Sequence, residues 1–518
     1  MRGGDFLWRA LEAARRRNLA ESGEAQPHAA SPVATRRALL RGFAATGVAV
    51  TMPAAAPARP PAGPVAIIGG GIAGLTALHY LREAGVDARL YEGQRRLGGR
   101  IHTVRASDGT MFEMGAQLVN TDHDDMHALT RALGVALVDR KRDAHRTLVL
   151  ADGRVIADRE LADALRPIAA QIGADADRID RDRAALIELD SISIAQYLDR
   201  HAALLPAPWV RRLMETTGRT EYGAEPDATS ALSLVFNLPT VDGARADILG
   251  GSDERYLIEG GSGALIAAMV ARHAGAIHRG RQLRRVERAP GGVRLGFTDG
   301  GVVGAATVIV AVPAPVTRRI DFATPLPPAW RGFIAAMDLG RNEKVLAAAA
   351  QPRWRERIGA GGEIWQTGGS CASGWDGSVA GAAGDPVWTW YLGGDEVDDP
   401  ASPGELARRY SDETDGALGD MASAWDGRGV RRTRWHRDPF IQGAYGSYPP
   451  GHLTRFGRLL WIEGADGAAT QSAPALGRVI FAGEHLSDAF PGYMNGGAQT
   501  GRLAAQAILG RTIPLQSA

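Results

Sequence analysis

The chain has 518 residues, a net charge of +1, 66 glycines and a single cysteine, Cys371. That length allows more than one domain and a large core, and the near-neutral balance gives no sign of a nucleic-acid partner or an acidic tail. One cysteine excludes an intramolecular disulfide and a thiolate-rich metal site, and the histidines show no metal-ligand spacing, so no metal is expected.

In chain order, residues 1–63 form an N-terminal extension. Phe6 to Asn18 is an amphipathic helical pattern with a basic end. Thr35-Arg36-Arg37-Ala38-Leu39-Leu40-Arg41 then precedes an alanine-rich apolar segment through Met52, and Ala56-Pro57-Ala58 precedes a proline-rich linker. A basic region, a short apolar region and a small-residue site in that order predict a signal peptide, and the paired arginines make it a twin-arginine type. The expected localisation is periplasmic or secreted; a disordered basic linker is the alternative. No later stretch is long and apolar enough to span a bilayer.

Val65 to Ile68 is a wholly apolar run, as in a parallel strand buried on both faces. Gly69, Gly71 and Gly74 follow in G-x-G-x-x-G order, then a helical pattern through Ala84, a stop at Gly85, and a second strand ending at Glu92. One glycine permits the tight turn, the second lets a pyrophosphate approach the backbone, and the third lets helix and strand pack closely. Glu92 is placed to accept from a ribose hydroxyl. The combination predicts an adenine-dinucleotide site.

Residues 143–249 read as mostly helical, with a serine N-cap in the run Leu189–Leu198. Strand patterns return at Tyr256–Ile258, around Val286, and at Thr307–Pro313. Lys344 lies on a strand beside Val345 and Leu346, where a buried ammonium would need a partner. Trp365, Trp388, Trp390 and Tyr391 fit a cavity floor and an aromatic core equally well. Val479–Phe481 is another buried strand, followed by Gly483 and Glu484, and a helix starts near Met494.

A dinucleotide fingerprint followed by Leu97-Gly98-Gly99-Arg100, with Gln442-Gly443-Ala444-Tyr445 and Pro491-Gly492-Tyr493-Met494-Asn495-Gly496-Gly497 near the other end, resembles the flavin-containing amine oxidase family. That family includes monoamine, polyamine and L-amino-acid oxidases. The resemblance runs from about Pro64 to Leu509.

It implies an α/β fold: an FAD-binding Rossmann-like (GR2-type) domain with an interleaved α+β substrate-binding domain. The FAD segments would be 64–142, 250–320 and 440–518, and the substrate segments 143–249 and 321–439. Gly99 and Arg100 would lie by the flavin and diphosphate, and Val286 would touch the cofactor through its backbone. Gly483 and Glu484 would meet the ribityl or diphosphate portion. The helix end at Met494 would face the flavin edge that gains negative charge on reduction.

Lys344 matches the lysine that holds a water against flavin N5. Tyr445 and Tyr493 match the paired aromatics that guide the amine. Monoamine oxidases carry a flavin-bonding cysteine where this chain has Ala444, so FAD is expected to be held non-covalently. The stretch Ala116–Asn120 lacks the arginine with which L-amino-acid oxidases clamp a carboxylate, which favours primary or secondary amines. The implied partners are a small-molecule amine and either O2 or a periplasmic electron carrier. The resemblance leaves open amino-acid oxidation, a non-catalytic FAD-binding role, and the oligomeric state, a homodimer included.

Overall fold

The computed structural model describes residues 63–515 except 237–238, 244, 250–251, 324, 383, 426–428 and 465. The expected leader therefore lies outside the described residues. Among them no helix is long and apolar enough to cross a membrane.

The apolar run expected to be a buried strand is β1 (Val65–Ile68), all four residues buried. It leads through the glycine turn into α1 (Ile72–Glu83) and then β2 (Ala88–Glu92). Three further strands join them from distant parts of the chain: β3 (Ile277–Arg279), β4 (Thr307–Val310) and β5 (Val479–Phe481). All pair in parallel in the order β3-β2-β1-β4-β5, and a short antiparallel strand, Ala475–Leu476, closes the edge. Val65 sits between Ala88 and Thr307, and Val308 pairs with Val479. Helices on a parallel sheet bury its faces, which is why β1 and β4 carry no polar alternation.

The helix α2 (Met494–Leu509) packs on α1 over a long contact. Small residues make that approach possible: a Cβ added at Gly501 would lie 2.2 Å from the Ala73 carbonyl oxygen. A Cβ at Gly74 would lie 2.0 Å from the Gly69 carbonyl oxygen, the close helix–strand packing for which the fingerprint's third glycine is needed. On the far side of α2, the fully buried Arg502 donates to both oxygens of Asp125 (2.6 and 2.9 Å) and to Glu463 (3.0 and 3.1 Å). A buried guanidinium of this kind persists only because its charge and its N–H groups are answered.

A seven-stranded sheet forms the second layer, in the order Arg431–Arg432, Asn342–Ala348, Val387–Gly393, Ser373–Asp376, Glu363–Thr367, Thr147–Ala151, Arg154–Val155. Residues 143–249 were expected to be mostly helical, but they open with these last two strands, one of which pairs in parallel with Glu363–Thr367. The remainder is mostly helical, including Asp158–Arg181, Ile194–Arg200 and Pro208–Tyr222, before an antiparallel pair of short strands, Thr240–Asp242 and Arg245–Asp247. The serine N-cap is Ser193, which with Gln196 forms a reciprocal capping box, while Leu189 and Asp190 close the preceding helix.

Strand alternation decides the fate of the aromatics. Trp388 and Trp390 point to one face of Val387–Gly393 and pack in a core with Trp354, Trp425 and Tyr410. Tyr391 points to the other face and pairs in register with Lys344, so the two side chains emerge together. Trp365 is core.

Candidate active site

One cavity of about 420 Å3 joins the nucleotide-binding turn to the functional side chains of the second layer. Gly69, Gly71, Glu92, Gly99, Arg100, Lys344, Tyr445, Gly483, Glu484, Tyr493 and Met494 all line it. Gly74 does not, and acts through packing alone. Val286 does not either: it is fully buried in the strand Leu283–Ala289, and Leu283, three residues earlier, lines the cavity instead. The ladder shifts register between Leu283 and Arg285, which places both residues on buried sides although a regular strand would put them on opposite faces.

At the nucleotide end, Gly69 takes φ +106°, and a Cβ there would lie 2.5 Å from the Ala311 carbonyl oxygen. No side chain caps the N-terminus of α1, so the backbone of Ile72 and Ala73 opens into the cavity. Glu92 accepts from the N–H groups of Gly70 (2.6 Å) and Gln94 (2.7 Å), one on each oxygen. Each oxygen keeps a lone pair for a further donor. Burial raises this carboxyl above its ordinary value despite those hydrogen bonds.

The N-terminus of α2 is likewise uncapped and without an acid in its first turn. Two bare helix ends thus face one cavity. An FAD diphosphate suits the first and a flavin edge gaining negative charge suits the second, so the residues present fit this cofactor.

Arg100 and Glu484 meet between these ends. Arg100 Nη1 donates to Glu484 Oε1 (2.7 Å) and to the Ala444 carbonyl (2.5 Å). Glu484 Oε2 accepts from Gly492 N–H (2.8 Å). Burial alone would raise the Glu484 carboxyl, but the Arg100 charge and its hydrogen bonds hold it below the usual range. His485, buried beside it, is pushed down to about 4 by burial, so the ring is neutral at pH 7.

In the second layer, Lys344 Nζ donates to the main-chain carbonyls of Gly115 (2.7 Å) and Glu113 (3.1 Å), and it lies 3.4 Å from Gln117 Oε1. Its expected partner is therefore a set of carbonyl dipoles with the Trp375 ring 5.4 Å away, rather than a directly paired acid. Burial lowers it to about 8, against the opposing field of Glu113.

Tyr445 donates to the Thr220 carbonyl (2.6 Å) and accepts from the Tyr391 hydroxyl (3.0 Å). Tyr493 donates to Ser252 Oγ (3.2 Å). Burial pushes all three phenols above their ordinary value, and the fields of Glu221 and Glu254 act in the same direction on Tyr391 and Tyr493. They stay neutral.

The sequence reading missed Trp375, Gln117, His123, Asp122, Glu221 and Glu254 as lining residues. Trp375 shares the face of Lys344 and Tyr391 through its pairing with Thr389, a register no single strand reveals. The arginines of the wall are engaged elsewhere: Arg100 with Glu484, Arg281 with Asp299, Arg319 with the Pro439 carbonyl.

Away from the cavity, His79, Glu83 and His273 bring ligating atoms within 4.8 Å of one another. Those histidines hydrogen-bond each other (3.1 Å), and Arg272 holds both oxygens of Glu83 (3.0 and 3.1 Å), so the donors already have partners.

A parallel-sheet dinucleotide domain opening onto a buried lysine and tyrosines defines a nucleotide-cofactor oxidoreductase. The family model for flavin-containing amine oxidoreductases matches residues 72–509. The chain belongs to that family, and its cofactor is FAD.

An L-amino acid dehydrogenase of Synechocystis sp. is 25% identical over 473 residues, which cover 86% of this chain and 94% of that protein. Flavin-containing amine oxidase B of Sus scrofa is 24% identical over 479 residues, 86% of each chain. A solved putrescine oxidase bound to putrescine shares the fold, with a TM-score of 0.73 at 20% identity over 87% of this chain and 99% of that one.

Proposed function

We propose that the enzyme oxidises a primary or secondary amine, with O2 as acceptor, to H2O2 and an imine that water hydrolyses to an aldehyde or ketone. Bound FAD supplies the redox chemistry, taking up a hydride equivalent from the C–H next to nitrogen. Gly69, Gly71, Glu92, Gly99, Arg100, Gly483, Glu484 and Met494 would hold it, without a covalent bond because Ala444 carries no nucleophile. Tyr445 and Tyr493, both neutral, would flank the amine and orient its nitrogen lone pair. Lys344 would hold a water by the reacting atoms, with Gly115 and Glu113 fixing its ammonium.

The observation that carries the substrate class is the charge of the cavity wall around the tyrosines. Asp122, Glu221 and Glu254 line it, with burial raising the carboxyls of Asp122 and Glu254 to about 7, while the cations of the wall, Lys344, Arg100, Arg281 and Arg319, already have partners. An α-carboxylate entering that wall would meet acidic groups and find no uncommitted bidentate cation, whereas an ammonium finds acceptors. Amine oxidation is accordingly favoured over amino-acid oxidation, although one relative bears an amino-acid dehydrogenase's name.

The test is anaerobic bleaching of the flavin across amines and α-amino acids, followed by air. Bleaching by amines with recovery in air is the expected outcome. Bleaching by amino acids alone would sink the substrate reading, and failure to recover in air would replace O2 with a carrier. Export through the twin-arginine route is a separate proposal, supported by the pattern of residues 35–58 alone.

A further inference from the structure

Tyr493 is held at two points by two segments, residues 120–123 and 252–254, that hydrogen-bond to each other. Its hydroxyl donates to Ser252 Oγ (3.2 Å), and its ring meets that of His123 edge-on, with centroids 5.1 Å apart and planes at 66°. Asn120 joins both contacts. Its Nδ2 donates to Ser252 Oγ (3.0 Å), and its backbone N–H donates to His123 Nδ1 (3.1 Å). Its Oδ1 accepts from the Glu254 N–H (3.0 Å), and its carbonyl lies 3.0 Å from His127 Nε2. Every polar group of this buried side chain and its peptide is therefore in use.

The tautomer of His123 follows from its hydrogen bond to Asn120. Because Nδ1 accepts, the proton of the neutral ring sits on Nε2, which has no hydrogen-bond partner among the described residues. That ring makes edge-to-face contacts with Tyr493 and with Phe490, the latter at 5.5 Å and 87°. An N–H or C–H edge against an aromatic face is weakly favourable and directional.

Tyr445 has a different support: the Thr220 carbonyl on a helix and Tyr391 on the seven-stranded sheet. The two phenols share no anchoring residue in these contacts.

We infer that Asn120 is a positioning residue for Tyr493, fixing the phenol through Ser252 and the ring through His123. The inference rests on the reading of Tyr493 as a substrate-facing residue. Neither Asn120 nor Ser252 touches the reacting atoms in this assignment; they set the angle at which Tyr493 presents itself. Releasing one neutral hydrogen bond lets the ring sample other rotamers, an effect of about fivefold on a rate that depends on its orientation.

The test uses the FAD-loaded enzyme and a substrate amine, following anaerobic flavin reduction to separate the limiting rate from the substrate Kd. Ser252→Ala is expected to lower the limiting rate about fivefold with a smaller effect on Kd, and Ser252→Thr, which keeps the hydroxyl, to restore it. Tyr493→Phe removes the same hydrogen bond from the other side, so Tyr493→Phe with Ser252→Ala should be no slower than the slower single variant. Tyr445→Phe with Ser252→Ala should instead multiply the two losses.

The visible circular dichroism of the bound flavin gives a readout independent of turnover. It should change alike in Ser252→Ala, Asn120→Ala and Tyr493→Phe. Multiplied losses in the Tyr493–Ser252 pair, a lowered melting temperature with an unchanged limiting rate, or no rescue by threonine would overturn the inference. If Tyr493→Ala leaves reduction unchanged, the substrate-facing reading falls and takes this inference with it. If Tyr493→Ala impairs reduction and Ser252→Ala does not, this inference alone fails.

Discussion

Lys344→Met separates the chemistry of the cavity from its scaffold. The buried ammonium titrates at about 8, against an ordinary 10.5, chiefly because burial disfavours the charge. That gap is worth about 3 kcal/mol against the charged form. Its sign follows from proton counting. With the lower pKa in the folded state, the unfolded chain carries the extra proton between pH 8 and 10.5. The cost is therefore complete below pH 8 and is relieved as pH rises through that window.

Methionine removes this cost, but it strands the Gly115 and Glu113 carbonyls, each worth about 1–3 kcal/mol when left unpaired. The terms oppose, so stability at neutral pH should stay within about 2 kcal/mol of the parent. The limiting rate of flavin reduction or of reoxidation by air should fall at least about tenfold, a barrier change of about 1.4 kcal/mol. Stopped-flow measurement of both half-reactions across pH would also show the parent's inflection near pH 8 and its loss in the variant. Unchanged half-reactions with an unchanged pH profile would make Lys344 a scaffold residue and refute the reasoning.

Arg502→Met should cost about 3–5 kcal/mol, because it leaves the buried carboxylates of Asp125 and Glu463 without their shared cation; chemical denaturation with FAD in excess measures it, and a loss under about 1 kcal/mol would contradict the burial argument. Acid precipitation of the holoenzyme should leave FAD in the supernatant, since the methyl of Ala444 offers no nucleophile to bond it and Cys371 is buried outside the cavity; a yellow, washed pellet would show a covalent link. Replacing Arg36 and Arg37 by lysine should retain the protein in the cytoplasm on fractionation of a host with the twin-arginine route, and undiminished export would remove that proposal.

How much was legible in the sequence depends on whether a feature is local. The glycine turn, β1, β2 and Glu92 were readable because apolar period and spacing are properties of a short stretch. The alternation in Val387–Gly393 likewise separates Trp388 and Trp390 from Tyr391, but which face meets the cavity depends on the register with Lys344, and that is set across the sheet. The Leu283–Val286 exchange has a sharper cause. An irregular ladder interrupts the strand's period, and nothing in the residues Arg284 and Arg285 announces it. The sequence asked for a partner to Lys344, but main-chain carbonyls have no sequence signature. Asn120 and Ser252 were invisible for the same reason, since their importance lies in whom they meet.

The contact of α2 with α1 has a consequence for biosynthesis. The two bare helix ends that frame the cavity belong to segments made at widely separated times, and β5 reaches the sheet only after the whole second layer has been translated. A nascent chain that has exposed β1 and α1 presents half a cradle, with the Ile72, Ala73 and Thr76 face of α1 uncovered until the glycines of α2 arrive. Cofactor capture thus waits until α2 has been made, and a topology so rich in distant pairings closes slowly. Free FAD then acts by mass action on the last step of folding, so riboflavin supply should govern how much of the chain escapes degradation.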